Sequence, residues 1–172
     1  MAKTSISRRH FVKLSAFTGS GLVLGFSLPG FPAAAMNPAG DCDYFQPNAF
    51  LRIDPSGLVT IFVGKQEMGQ GVNTSLPMIV AEELEVDFEA IKTEIAPYGS
   101  LKDGAHDTGG SQSVTGGWEE LRQAGAAART MLIAAAAKRW NVSESLCKAE
   151  NGKVLHTVSG NSLLYGELAC EA

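Results

Sequence analysis

The sequence is poor in metal ligands. Its three cysteines, Cys42, Cys147 and Cys170, lie far apart in 172 residues. They form no CxxC and no zinc spacing, which excludes a cysteine-held metal site or iron–sulfur cluster within these residues. One thiol is left over even if two pair. The three histidines, His10, His106 and His156, are scattered. Each reads as a surface or core residue rather than a ligand. Positive charge is also scarce. Setting aside the first 35 residues removes four of the 14 Lys and Arg and none of the 18 Asp and Glu, so the remainder carries a net charge of −8. A domain that acidic argues against nucleic acid as a partner. Beyond residue 35 there is neither an internal repeat nor a low-complexity segment. What the chain does have is glycine, 19 residues of it, and enough length for one domain with a real core.

Residues 1–35 stand apart. "SRRHFVK" carries Arg8 and Arg9, followed by the apolar, glycine-rich run "LSAFTGSGLVLGFSLPG" and then "FPAAA". That is the order of a bacterial export signal, and the arginine pair makes it a twin-arginine signal. The competing reading is a transmembrane anchor, but the run is short for a span and broken by glycines. The expected location is therefore the periplasm, with membrane association left open. The twin-arginine route implies export of a folded protein, which raises the expectation of a tightly held cofactor.

Residues 36–49 lack periodicity and contain two prolines, which predicts a linker or extended arm. "FLRIDPSGLVTIFVG" predicts a hairpin pairing Phe50–Ile53 with Leu58–Val63 around "DPSG". "NTSLPMIVAEELEVD" predicts a helix bearing Leu76, Ile79, Val80, Glu83 and Leu84 on one face. Thr74 or Ser75 is the expected cap, with Pro77 in the first turn. "AIKTEIAPYG" alternates like a strand and stops at Pro97. A long helix follows through "EELRQAGAAARTMLIAAAAKRW", with Leu121, Ala124, Ala128, Leu132, Ala135 and Ala136 forming a small apolar face suited to close packing. Glu119 and Glu120 fall early in it, and Lys138 and Arg139 at its end, as the helix dipole favours. A hairpin on Asn151-Gly152 comes next, and "YGELACEA" starts another helix. The fold class is α+β: hairpins, with two helices that follow glycine-rich loops.

Those two loops, "GKQEMGQGVNTS" (Gly64–Ser75) and "GAHDTGGSQSVTGGW" (104–118), carry the candidate chemistry. Glycine leaves backbone N–H groups unblocked, and a helix starting just after adds partial positive charge. Together these suit an anion such as a phosphate. Neither loop is a Walker A, and neither is a GxGxxG with an acid further on. The residues alone are equally compatible with two tight polar turns.

Taken together, "GKQEMGQGVNTSLPMIVAEEL" and "TGGSQSVTGGWEELRQAGAAARTMLIAAAAKRW" resemble the molybdenum-cofactor-binding large subunit of the xanthine dehydrogenase/aldehyde oxidase family. The similarity is to the branch holding the isoquinoline 1-oxidoreductase beta subunit and periplasmic aldehyde dehydrogenases. The resemblance implies that Gln70 hydrogen-bonds an oxo ligand of the molybdenum, with Gly69 and Gly71 letting the backbone approach the cofactor. It implies that Gly110, Ser111, Gln112 and Ser113 contact the pterin dinucleotide, expected in its cytosine form. Glu67 is read as a loop residue rather than the catalytic base. No direct metal ligand and no catalytic residue is expected in this stretch.

The implied reaction is hydroxylation of an aldehyde or N-heterocycle with water as oxygen source, electrons leaving through iron–sulfur clusters. The absence of cluster cysteines fits a separate small iron–sulfur subunit with [2Fe-2S] clusters as partner. Family large subunits are several-fold longer, and their glutamate base lies near the far C-terminus. Residues 50–172 are therefore expected to be the N-terminal part of an incomplete molybdenum-cofactor-binding domain, inactive as an isolated chain and poorly soluble without the remaining large-subunit domains. An exported, non-catalytic cofactor-binding or assembly module is the alternative, and a decayed remnant a third.

Overall fold

Two adjacent parallel strands fix where both glycine-rich loops begin. The structure, a computed structural model, describes residues 45–48, 50–98, 100–101 and 106–172. The export-signal expectation lies outside them. Strands β1 (Phe45–Asn48), β2 (Leu51–Ile53), β3 (Val59–Val63) and β4 (Ile91–Ile95) form one sheet in that order. The β2–β3 hairpin pairs Leu51 with Ile61 and Ile53 with Val59. Its turn closes through Gly57 N–H donating to the Asp54 carbonyl at 2.8 Å. The last stretch of the expected arm is strand β1, antiparallel to β2. Pro47 is tolerated there because β1 is an edge.

β3 and β4 run parallel, in register from Val59–Ile91 to Val63–Ile95. Helix α1 (Val72–Leu84) makes the crossover between them, so the first loop lies in a β–α–β unit rather than beside a simple hairpin. All five residues of β3 are buried, as a central strand covered on both faces requires. Helix α2 (Ser113–Trp140) follows the second loop. A second sheet, β5 (Cys147–Glu150), β6 (Lys153–His156) and β7 (Ser162–Leu164), leads into the short helix α3 (Tyr165–Leu168). The β5–β6 turn has Asn151 at φ 48° and Gly152 at φ 73°, the paired positive values that favour Asn-Gly in two-residue hairpins.

Both long helices start earlier than the sequence suggests. α1 begins at Val72 behind Gly71, which is left-handed at φ 81°. Thr74 and Ser75 are thus inside the first turn, and Pro77 falls in the second. The extra turn is sustained by a side chain from the loop, Glu67, which accepts from Asn73 N–H. α2 begins at Ser113, because the Gln112 carbonyl already accepts from Gly116 N–H at 2.8 Å. Glu119 and Glu120 consequently sit in its second turn.

α1 packs on α2 at very short range. The six expected small or apolar positions of α2 are all buried, and so are Leu76, Ile79, Val80 and Leu84 of α1. At the crossing stands Gly125. A Cβ built there would lie 2.7 Å from the Val80 carbonyl oxygen and 2.9 Å from the Glu83 Cβ. Glu83 pairs with Arg122 at 2.6 Å along the rim, half-exposed and so worth little.

The C-terminal elements close the back of this core. Gly166 meets the β2–β3 turn, where an added Cβ would sit 2.4 Å from the Pro55 carbonyl. Tyr165, fully buried, donates its hydroxyl to the Leu84 carbonyl at 2.7 Å; burial raises the phenol pKa. Cys170 is disulfide-bonded, whereas Cys147 is free and half-buried, with burial pushing its thiol up. Among the described residues, no helix is long and apolar enough to cross a membrane.

Gly125→Ala drives a methyl group into backbone, which cannot yield as a flexible side chain would. It is expected to cost about 1–3 kcal/mol, read as a lowered urea midpoint. The exposed neighbour Ala127→Ser should stay within about 0.5 kcal/mol of the parent. An unchanged midpoint for the glycine variant would show that the helices do not cross this closely.

Candidate functional site

Both loops leave the carboxyl ends of parallel strands, one after Val63 and the other beyond Ile95. Open sheets present ligand crevices at such ends. The loops are tied to each other there. Lys65 Nζ donates to the Asp107 carbonyl at 2.6 Å, and Gln66 N–H donates to Thr108 Oγ1 at 2.8 Å. Below this clasp lies a cavity of about 310 Å³. Its floor is apolar (Ile61, Val63, Leu76, Leu121), and its rim carries Lys65, Gln112, Ser113 and Glu120.

The first loop is closed by its own side chains. Glu67 Oε1 accepts from Gly69 N–H at 2.8 Å and Gly71 N–H at 3.0 Å, while Oε2 accepts from Asn73 N–H at 3.0 Å. The N–H groups of Asn73 and Gly71, followed by those of Gly69 and Gln70, hold the Glu67 carboxyl below its ordinary pKa of 4.5. An anion site does exist at the start of α1, but Glu67 fills it. Of the two loops whose residues could suit an anion, the first is thus closed by its own carboxylate. The three bonds and the lowered pKa make the Glu67 carboxylate a weaker proton acceptor than a free glutamate.

Gln70 sits on the exposed crown of that loop, outside the cavity wall. Its Oε1 accepts from Met68 N–H at 2.6 Å and its Nε2 donates to the Gln66 carbonyl at 2.8 Å. These partners fix which end of the amide is oxygen and which is nitrogen. A primary amide has two N–H groups, so one remains for an external acceptor. Gly69 and Gly71 have φ of 93° and 81°, and no atom lies within 4 Å of a Cβ built on either. Their glycine requirement is thus set by backbone conformation, and the approach over them is unobstructed.

The second loop turns through Gly110 at φ 60° and Ser111 at φ 57°. Gly110, Ser111 and Gln112 are exposed and Ser113 is half-buried. No side chain caps the start of α2; Gln112 Oε1 instead accepts from the Thr115 hydroxyl at 3.1 Å. Here the uncapped start of α2 faces the cavity, and a helix N-terminus suits an anionic group; Lys65 on the rim already donates to the Asp107 carbonyl, and Glu120 adds a carboxylate to the same rim. Among the described residues, no three His, Cys, Asp or Glu side chains converge on one point.

Of the residues singled out in the sequence, Gln112 and Ser113 line the cavity, Gly110 and Ser111 flank it, and Gly69, Gln70 and Gly71 form the separate crown. Sequence reasoning did not single out Lys65 and Thr108 as the pair that joins the loops. Both lie in the glycine-rich stretches, but nothing in either stretch signals that β3 and β4 are neighbours.

The Glu67 bonds carry a pH signature. A folded-state pKa below the unfolded one means that stabilisation is present above the unfolded value and is lost as pH falls through the folded value. Amide resonances of Gly69, Gly71 and Asn73 are expected to titrate together, with a midpoint below 4.5. A midpoint at or above that value would contradict the three-bond arrangement.

Comparison with known proteins gives the family and the fold. Residues 9–172 match the family described as Molybdopterin cofactor-binding domain. The chain is 34% identical to isoquinoline 1-oxidoreductase subunit beta of Brevundimonas diminuta, over 95% of this chain and 22% of that protein. It is 30% identical to the membrane-bound aldehyde dehydrogenase [pyrroloquinoline-quinone] of Gluconacetobacter polyoxogenes, over 98% of this chain and 22% of that protein. It thus spans about a fifth of the length of these relatives. Among solved structures, quinoline 2-oxidoreductase from Pseudomonas putida 86 superposes with a TM-score of 0.55 at 22% identity, covering 69% of this chain and 15% of that one. At that identity the likeness bears on the fold only, and it supports the mixed α+β class.

Proposed function

The chain belongs to the molybdopterin cofactor-binding domain family, and from that premise we propose that it is the N-terminal portion of the large subunit of a molybdenum hydroxylase. The substrate class is an aldehyde or an N-heterocycle, as the names of the two relatives suggest. The observation that carries the reading is the clasp of the two glycine-rich loops at the carboxyl ends of β3 and β4. It gathers a locked amide, a helix N-terminus and an ammonium group at one end of the sheet.

Bound there, the molybdenum–molybdopterin cofactor supplies oxidative hydroxylation with water as oxygen source. The chain's own part is to hold and orient. The remaining N–H of Gln70 is the donor for an oxo ligand. Gly69 and Gly71 keep the approach over the crown clear. Gly110, Ser111, Gln112 and Ser113, with the open start of α2, take the pterin dinucleotide. The cytosine form is proposed from the resemblance of the motifs. The catalytic base is assigned to later parts of the large subunit, as the resemblance of the motifs implies; Glu67 itself is committed to backbone N–H groups. The isolated 172-residue chain is accordingly expected not to turn over substrate.

The proposed partners are the remaining large-subunit domains and a small iron–sulfur subunit that takes the electrons. The proposed location is the periplasm, reached by the twin-arginine route and with possible attachment to the membrane. The "SRRHFVK" leader supports it, as does the disulfide at Cys170, since such bonds persist in oxidising compartments.

The test is to isolate the native protein, with whatever it holds, using an antibody to residues 50–140. Mass, metal and nucleotide are then measured. A species several-fold heavier than 18.1 kDa, with stoichiometric molybdenum and cytidine monophosphate released by acid, is expected. Gln70→Ala should lower kcat by roughly 10–100-fold, the usual cost of losing an outer contact to a metal centre. Pyrroloquinoline quinone in place of molybdenum would overturn the cofactor. Molybdenum without turnover of any aldehyde or N-heterocycle would replace the enzyme with a non-catalytic binding module.

A further inference from the structure

We propose that Glu67 is the positioning residue of the Gln70 loop: its carboxylate gathers the N–H groups of Gly69, Gly71 and Asn73, and so sets where the Gln70 amide stands. The ring is a property of the structure; its bearing on the reaction rests on the reading of Gln70 given above.

Three observations converge on this role. The loop is exposed from Gln66 to Gln70, with no packing of its own to hold it. Two of its residues are glycines at positive φ, which have the widest conformational choice of any residue. Yet all three bonds of Glu67 reach backbone on both sides of Gln70, at 2.8, 3.0 and 3.0 Å. The Gln70 amide is then seated on Met68 N–H, within the ring, and on the Gln66 carbonyl just ahead of it. Glu67 therefore touches no external group. It shapes the backbone, and the backbone holds the amide.

The chemistry requires a carboxylate here. Three N–H donors converge on two oxygens, and an ionised acid is acceptor-only at both. Glutamine of the same length would offer one oxygen and one NH₂, setting N–H against N–H at Asn73 or at the glycine pair. The positive end of α1 adds a further preference for a negative group. Aspartate keeps the charge but falls one methylene short.

The test uses the native protein with its partners, in four forms: parent, Glu67→Gln, Gln70→Ala and the double variant. Glu67→Asp is made alongside and is read in the same way should Glu67→Gln fail to accumulate. Hydrogen exchange is followed in peptides covering residues 64–75, together with molybdenum content, kcat and KM. Glu67→Gln is expected to speed exchange in that segment at least tenfold while peptides from α2 stay as in the parent. It should lower kcat more than it raises KM. Added to Gln70→Ala, it should lower kcat no further, since a residue that acts through another has nothing left to act on.

Unchanged exchange in Glu67→Gln would overturn the inference. So would an additive loss of kcat in the double variant, which would give Glu67 a role independent of Gln70. Faster exchange throughout the chain would reduce it to a general stability role. If Gln70→Ala alone keeps parental kcat and molybdenum, the cofactor reading of Gln70 falls, while faster exchange in Glu67→Gln would still uphold the ring.

Discussion

Everything at the carboxyl end of the first sheet depends on how closely α1 can approach α2, and that distance is set by the missing side chain of Gly125. The Val80 carbonyl occupies the space where a Cβ would project. Each glycine-rich loop leads directly into one of these helices. The crossing therefore fixes the separation of the two loops, as a hinge pin fixes two leaves. With the helices this close, Lys65 and Gln66 of one loop reach Asp107 and Thr108 of the other.

The two loops look alike in composition but are finished differently. Beyond the clasp, the first is closed on itself, with the N–H groups of Gly69, Gly71 and Asn73 taken by Glu67 and its amide seated on its own backbone. The second leaves the start of α2 uncapped and opens onto a cavity with an apolar floor. That contrast divides the work proposed for the site. A saturated loop holds one hydrogen-bond donor in a fixed direction, whereas an unsaturated one is suited to an anion. Composition cannot reveal the division, because it depends on which way the Glu67 side chain folds.

The legible parts of the fold were those decided by local chemistry. The β2–β3 hairpin followed from Pro55 and Gly57, the β5–β6 turn from Asn151-Gly152, and the buried face of α2 from the spacing of Leu121, Ala124, Ala128 and Leu132. The parts that stayed hidden depend on partners distant in sequence. The parallel pairing of β3 with β4 joins residues about thirty positions apart, and neither strand carries a mark of the other. The start of α1 was misplaced because Pro77 reads as a first-turn residue. The true start relies on a carboxylate five residues ahead of the helix. Gln70 and the second-loop residues are singled out by family resemblance alone, while the pairing of Lys65 and Gln66 with Asp107 and Thr108 needs the sheet to be drawn first.

The bond from Tyr165 to Leu84 bears on the order in which the molecule can be assembled. It closes a separation of 81 residues, and Gly166 packs onto the turn at Pro55–Gly57 at longer range still. Contacts of such length are reached late, because the entropy of closing the intervening chain is lost before they return anything. During synthesis the N-terminal hairpin and α1 emerge first, and the Leu84 carbonyl gains its tyrosine donor only once Tyr165 leaves the ribosome. The back of this core is thus sealed after the loop end, which is built from earlier segments and can be in place before it.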